Sequence, residues 1–190
     1  MPKKKARAAR KKKPAEAHEH LGARVTGYKI DIEAGLNLDL KGGGLRYPAP
    51  DDPLYTYRTL LTLYGECIDP DERAGEIYDF LIVGDARAAR DHLTVADIQD
   101  RDRDGGPKTR LYRGVEIPVY DRPPGITTMF PGGGKRHFQC YLPVPPQLAS
   151  DMLTALAAGA APYMAIHEHK VGRKRWIDTL TLQNTHPAEE

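Results

Sequence analysis

Tyr28-Lys29-Ile30-Asp31-Ile32-Glu33 alternates apolar and charged residues without a break, and a period of two is met by an extended strand with one face buried. Leu36, Leu38 and Leu40 continue the alternation until Gly42-Gly43-Gly44 ends it. Similar runs recur down the chain. Leu54 to Ile68 is rich in Tyr, Thr and Leu, Asp69 to Gly75 supplies turn chemistry, and Glu76 to Val83 returns as a second strand, so this segment predicts a hairpin at the spine of a sheet. Leu111 to Tyr120 predicts one strand with Leu111, Val115, Ile117 and Val119 on one face, and Pro118 assigns it to an edge. His137 to Leu142 follows a second glycine triplet, Gly132-Gly133-Gly134. Tyr163 to Val171 and Arg175 to Leu182 flank Gly172-Arg173-Lys174 as a final hairpin.

Helical spacing is clear at one place. After Pro145-Pro146, residues Leu148, Met152, Leu153 and Leu156 fall on one helical face, and Gly159 stands where a C-terminal cap belongs. Asp85 to Asp97 reads as a short helix or a polar connection. The expected fold class is mainly β, or α+β: an antiparallel β-sandwich or open barrel with one covering helix, plus a disordered basic N-terminal tail. The expected domain division is a tail and junction over 1–22, one β-rich globular domain over 23–184, and a frayed C-terminus over 185–190.

Charge is unevenly distributed. Lys3, Lys4, Lys5, Arg7, Arg10, Lys11, Lys12 and Lys13 lie within the first thirteen residues, and no acid precedes Glu16. Without these eight, 20 of the 28 Lys and Arg remain against 26 Asp and Glu, so a chain of net charge +2 is a cationic arm on a body of about −6. Such asymmetry suits a tether to nucleic acid or to another acidic surface.

Cys67 and Cys140 are the two cysteines. In strand-like runs, and with no secretory pattern in the N-terminal tract, they are expected to be reduced thiols in a cytosol. The apolar stretch around Met152 to Ala165 is interrupted by Thr154, Gly159 and Pro162 and is too short to span a bilayer, so no membrane partner is expected. In a eukaryotic host, the basic tract would also read as a nuclear import address.

Several constellations carry possible chemistry. Asp100, Asp102 and Asp104 followed by Gly105 match the first half of a calcium loop, but position 12 is Leu111 where a bidentate Glu belongs, which favours a solvated connection. His167 and His169, two apart on a strand, share one face and could bind a metal with a third ligand such as His137. Cationic flanks at Arg173 and Lys174 weigh against this, so polar surface is expected there and neither a metal nor another cofactor is assigned. His18 and His20 fall in the expected junction. Gly134-Lys135 is followed by Arg136 where a phosphate loop needs Ser or Thr, and Met129 stands where its first Gly should be.

No catalytic residue is assigned. Ser150 lacks a glycine-flanked elbow, and His137 and Cys140, three apart on a strand, point to opposite faces. Asp31, Asp39, Glu66, Asp79 and Glu168 would make a nuclease centre only if they converged. Trp176 has two readings, as a base-stacking platform beside Lys170, Arg173, Lys174 and Arg175, or as a core residue aligned with Leu180 and Leu182; alternation favours the core. The expected function is a small non-catalytic module that engages nucleic acid, DNA included, or a complex containing it. The tail, with Lys135, Arg136, Arg173, Lys174 and Arg175, supplies the contacts. The alternatives are a metal-dependent enzyme using the strand histidines and carboxylates, and an acidic interaction or inhibitor protein.

Overall fold

The computed structural model describes residues 16–36, 55–85, 93–121, 123 and 125–189. The whole basic tract, Asp39, the first glycine triplet and most of the 85–97 segment therefore lie outside the described residues. Nine strands, one α-helix and short 3₁₀ turns follow in the order β1 (Glu16–Leu36), β2 (Tyr55–Asp69), β3 (Ile77–Gly84), β4 (Thr109–Tyr112), β5 (Val115–Pro118), β6 (Thr127–Pro131), β7 (His137–Val144), α1 (Pro146–Ala157), β8 (Tyr163–Val171) and β9 (Lys174–Gln183). Seven strands form a closed barrel in the order β1-β2-β3-β7-β6-β9-β8, and β4-β5 is a separate two-stranded sheet.

The β-rich class with one α-helix holds, and closure is complete. A closed sheet has no row of unpaired backbone groups to protect. Closure depends on β1, whose residues Glu16 to Arg24 pair with β8 on one side while Gly22 to Leu36 pair with β2 on the other. The pairing is antiparallel throughout except at β3 and β7, which run parallel from Ile77↔His137 to Gly84↔Val144. Past the end of β3, at Gly84↔Thr59, β1 and β2 continue as a two-stranded arm with Ile32 and Tyr57 exposed.

Inward-facing residues fill the barrel by alternation. Leu61, Leu63, Tyr78, Phe80, Ile82, Met164, Ile166 and Ile177 are each at most 1% exposed. The helix covers one end of this core, with Ala149 and Leu156 buried, and Gly84 must be small because an added Cβ would lie 2.9 Å from that of Ala149. Cys67 and Cys140 are free, buried thiols. Burial, then the neighbouring Glu168, pushes the Cys140 thiol up to about 12.

Three expectations about the chain path change. The segment 111–120 is a small hairpin, because Arg113 (φ 51°) and Gly114 (φ 84°) turn it back on itself, so Leu111 and Val115 do not share one strand face. The stretch 16–22, expected as junction, is the first third of β1. Its polar composition hid a strand whose pairing with β8 repeats the sequence, His18↔His169, Glu19↔Glu168 and His20↔His167. Finally, β6 was not anticipated, since five residues between prolines and a glycine triplet carry little periodic signal.

The end opposite α1 is closed by charge. Glu168 is 3% exposed and accepts hydrogen bonds from Arg175 Nη2 (2.8 Å) and Arg73 Nη2 (3.2 Å). Arg73 also donates to Glu76 (2.6 Å) and to the Tyr78 hydroxyl (2.8 Å), and pairs with Glu19. Burial alone would lower the Arg73 pKa, but Tyr78, Glu76 and Glu168 outweigh it and hold the guanidinium above its usual value. Glu168→Ala leaves Arg175 without its carboxylate and removes one of three carboxylates from Arg73, and should cost about 3 kcal/mol in urea denaturation; a loss below about 1 kcal/mol would mean water already solvates the network. The raised Cys140 pKa stabilises the fold fully below pH 9, the thiol's ordinary range, and that contribution is lost as pH rises toward 12. Cys140→Ala should therefore flatten the fall of thermal midpoint over that window, measured against the unsubstituted protein.

Candidate functional site

The cationic segments singled out in the sequence meet at one end of the barrel. The turn carrying Lys135 and Arg136 joins β6 to β7, and the turn carrying Arg173 and Lys174 joins β8 to β9. β1 starts beside the second turn, at Glu16↔Val171, so the basic tract attaches to the barrel there. These turns belong to neighbouring strands, because β7, β6, β9, β8 and β1 are consecutive around the barrel. Lys135, Arg136, Arg173 and Lys174 are all exposed; Arg136 also donates to the backbone carbonyl of Glu72 at 3.2 Å. Arg175 departs from this set. Its guanidinium lies 4.4 Å over the Phe138 ring and is bonded to Glu168, so its charge is neutralised within the barrel mouth.

Trp176 is not a core residue. A register shift between His167 and Glu168 places Asp178 in a bulge of β9, so Ile177 is fully buried while Trp176 stays on the outer face. Strict alternation from Leu180 and Leu182 would have turned Trp176 inward, and one extra residue reverses that inference. The indole stacks on His169 at 6.2 Å between centroids, with 13° between planes. It borders an outer groove of about 340 Å³ whose other wall includes Phe130 and Tyr141. Those two rings also line a second groove of about 470 Å³ with Tyr64, Asp79, Leu81 and Gln139. Phe130 and Tyr141 are thus an exposed aromatic ridge, 54% and 49% accessible, between two grooves on the β3-β7-β6-β9 face. At the margin of this face, His137 Nε2 lies 2.7 Å from Asp79 Oδ2. Gly132 permits that histidine's position, since an added Cβ would meet its ring at 2.8 Å.

Among the described residues, the carboxylates considered for a nuclease centre do not converge. Glu168 faces the barrel interior, Asp79 pairs with His137, Glu66 bonds Arg24 at 2.9 Å, and Asp31 pairs with Lys29 at 2.7 Å. The Asp100–Gly105 segment is held by its own chain: Asp102 Oδ1 accepts from the amides of Asp104 and Gly106, each at 2.9 Å, and Asp100 pairs with Lys108. Lys108 holds the Asp100 carboxyl below its ordinary range. Ser150 donates to the Pro146 carbonyl within α1.

The histidines depart from the expectation of plain polar surface. His169 is 3% exposed, and its Nδ1 lies 2.6 Å from Asp178 Oδ1. His137 belongs to the distant Asp79 pair, while His18 and His20 of β1 lie against the β8 histidines, with the His20 and His167 rings stacked at 4.4 Å. The repeated His-Glu-His at 18–20 and 167–169 was the available sequence signal. Gly125 packs behind Asp178: an added Cβ would stand 2.2 Å from the Ile177 carbonyl oxygen and 3.0 Å from Asp178 Oδ1. Gly125→Ala should displace this backbone and lower stability by about 1–3 kcal/mol, with a change in Trp176 emission accompanying it; an unchanged melting curve and spectrum would refute that packing. No family model, curated protein or solved structure matches this chain.

Proposed function

We propose that the protein binds nucleic acid, with single strands favoured, using the cationic barrel end to hold the phosphate backbone and the outer aromatic face to stack bases. The observation that carries this reading is the meeting of the Lys135-Arg136 turn, the Arg173-Lys174 turn and the attachment point of the basic tract on neighbouring strands. Charges so grouped can neutralise successive phosphates, whereas the same residues dispersed over an acidic body could not. Phe130, Tyr141 and Trp176 on the adjoining outer face supply flat, sequence-tolerant surfaces of the kind single-stranded partners use. The duplex offers such rings little, because its bases are already stacked. The basic tract adds reach and affinity without sequence preference.

Fluorescence anisotropy with single-stranded and duplex oligonucleotides tests this. If about six tract cations contact duplex phosphates, log K falls against log salt with a slope of about −5 from that segment, roughly a thousandfold loss between 50 and 200 mM salt. Deleting residues 1–13 removes most of that slope and leaves thermal stability nearly unchanged. Trp176→Ala should weaken single-strand binding by about 1–3 kcal/mol while sparing duplex binding. Equal losses on both would remove the stacking role, and no binding by either full-length or truncated protein would favour the acidic interaction reading.

A further inference from the structure

We propose that His18, His167 and Asp178 form a binding site for a late first-row divalent cation of the zinc class, on the outer barrel wall where β1, β8 and β9 lie side by side. One ligand atom from each residue falls within 4.8 Å of the others. His167 Nδ1 and Asp178 Oδ2 are 3.9 Å apart. Around a tetrahedral ion with bonds of about 2.0–2.1 Å, donor atoms stand about 3.4 Å from one another, so His167 and Asp178 need to close by roughly 0.5 Å and no pair by more than about 1.4 Å. Two imidazoles and a carboxylate suit zinc, cobalt or nickel better than calcium or magnesium, which favour all-oxygen sets.

The surroundings hold the donors in place. His169 is buried under Trp176 and bonds Asp178 through Oδ1, an outer partner that fixes the carboxylate while Oδ2 turns toward His167. Gly125 backs the same carboxylate at close range. On the other flank, the His20 ring lies parallel to His167, 3° between planes. Of the cations in the last hairpin, Arg175 turns to the opposite face and is neutralised by Glu168, while Arg173 and Lys174 lie exposed at the turn. His18 is 40% exposed, so the ion would be reached from solvent and would keep at least one position for water; Glu16 Oε1 lies 3.5 Å from His18 Nε2 on that side. This site is independent of the nucleic-acid reading, and shares with it only Trp176.

Full-length protein freed of metal by chelation is titrated with zinc chloride in a calorimeter and with cobalt chloride by absorption and tryptophan emission. One equivalent of zinc should bind with micromolar or tighter affinity, and cobalt should quench the single Trp176 with the same stoichiometry. His18→Ala, at an exposed position that should leave the barrel intact, and the double variant with His167→Ala should weaken binding by about a hundredfold or more; His169→Gln, acting through Asp178, by about ten- to a hundredfold. His137→Ala should leave binding unchanged. Absence of both zinc heat and cobalt quenching overturns the proposal, and so does a His18→Ala protein that binds as the original does.

Discussion

Two glutamates face each other across the seam that closes the barrel, and a single guanidinium holds them together. Glu19 of β1 stands opposite Glu168 of β8, an arrangement of like charges that opposes strand pairing. Arg73, projected from the turn between β2 and β3, pairs with both. The ion network does more than join three elements. It links Glu76, Arg73, Glu168 and Arg175 in a chain of ion pairs at the barrel mouth, so two of the body's arginines are occupied internally. Such a network adds less net stability than its number of bonds suggests, because each group gave up water to enter it. What it supplies is registration. A slip of β1 against β8 by one residue would turn His18 and His20 inward and Glu19 out, leaving Arg73 without its second partner.

Opposite ends of the barrel therefore differ in kind. At one, α1 seals the core with Ala149 and Leu156, and the chain makes its long excursion through β4 and β5 before returning at β6. At the other, ion pairs seal it and basic turns surround the seal. The outer wall between them carries the two chemical surfaces, aromatic on β6 and β7 and imidazole-rich on β1 and β8. Trp176 sits at their boundary because one bulged residue in β9 turned it outward.

How much of this was legible follows from what sequence periodicity can encode. The β2-β3 and β8-β9 hairpins and α1 were readable because each carries its own turn or cap, and Gly159 does adopt a positive φ at the end of the helix. β4 and β5 were read as one strand, since Arg113 is an uncommon residue for the left-handed turn it occupies. The parallel β3-β7 pairing has no local signature, being separated by more than fifty residues of chain. The candidate sites were legible in part: the exposed turn cations could be named, whereas the inward course of Arg175 and the partnership of His18 with His167 required the register of β1 on β8.

That register also sets an order of events in synthesis. Gly22 to Leu36 find their partners as soon as β2 is made, but Glu16 to Leu21 pair only with β8, whose final residue is Val171. At ribosomal rates of about 5–20 residues per second, this polar segment waits on the order of ten seconds as an open strand edge. Its composition suits that interval, since Glu16, His18, Glu19 and His20 make a poor template for association with another chain. The same polarity that concealed the strand from pattern reading is thus a safeguard for a nascent chain whose first strand waits for its eighth.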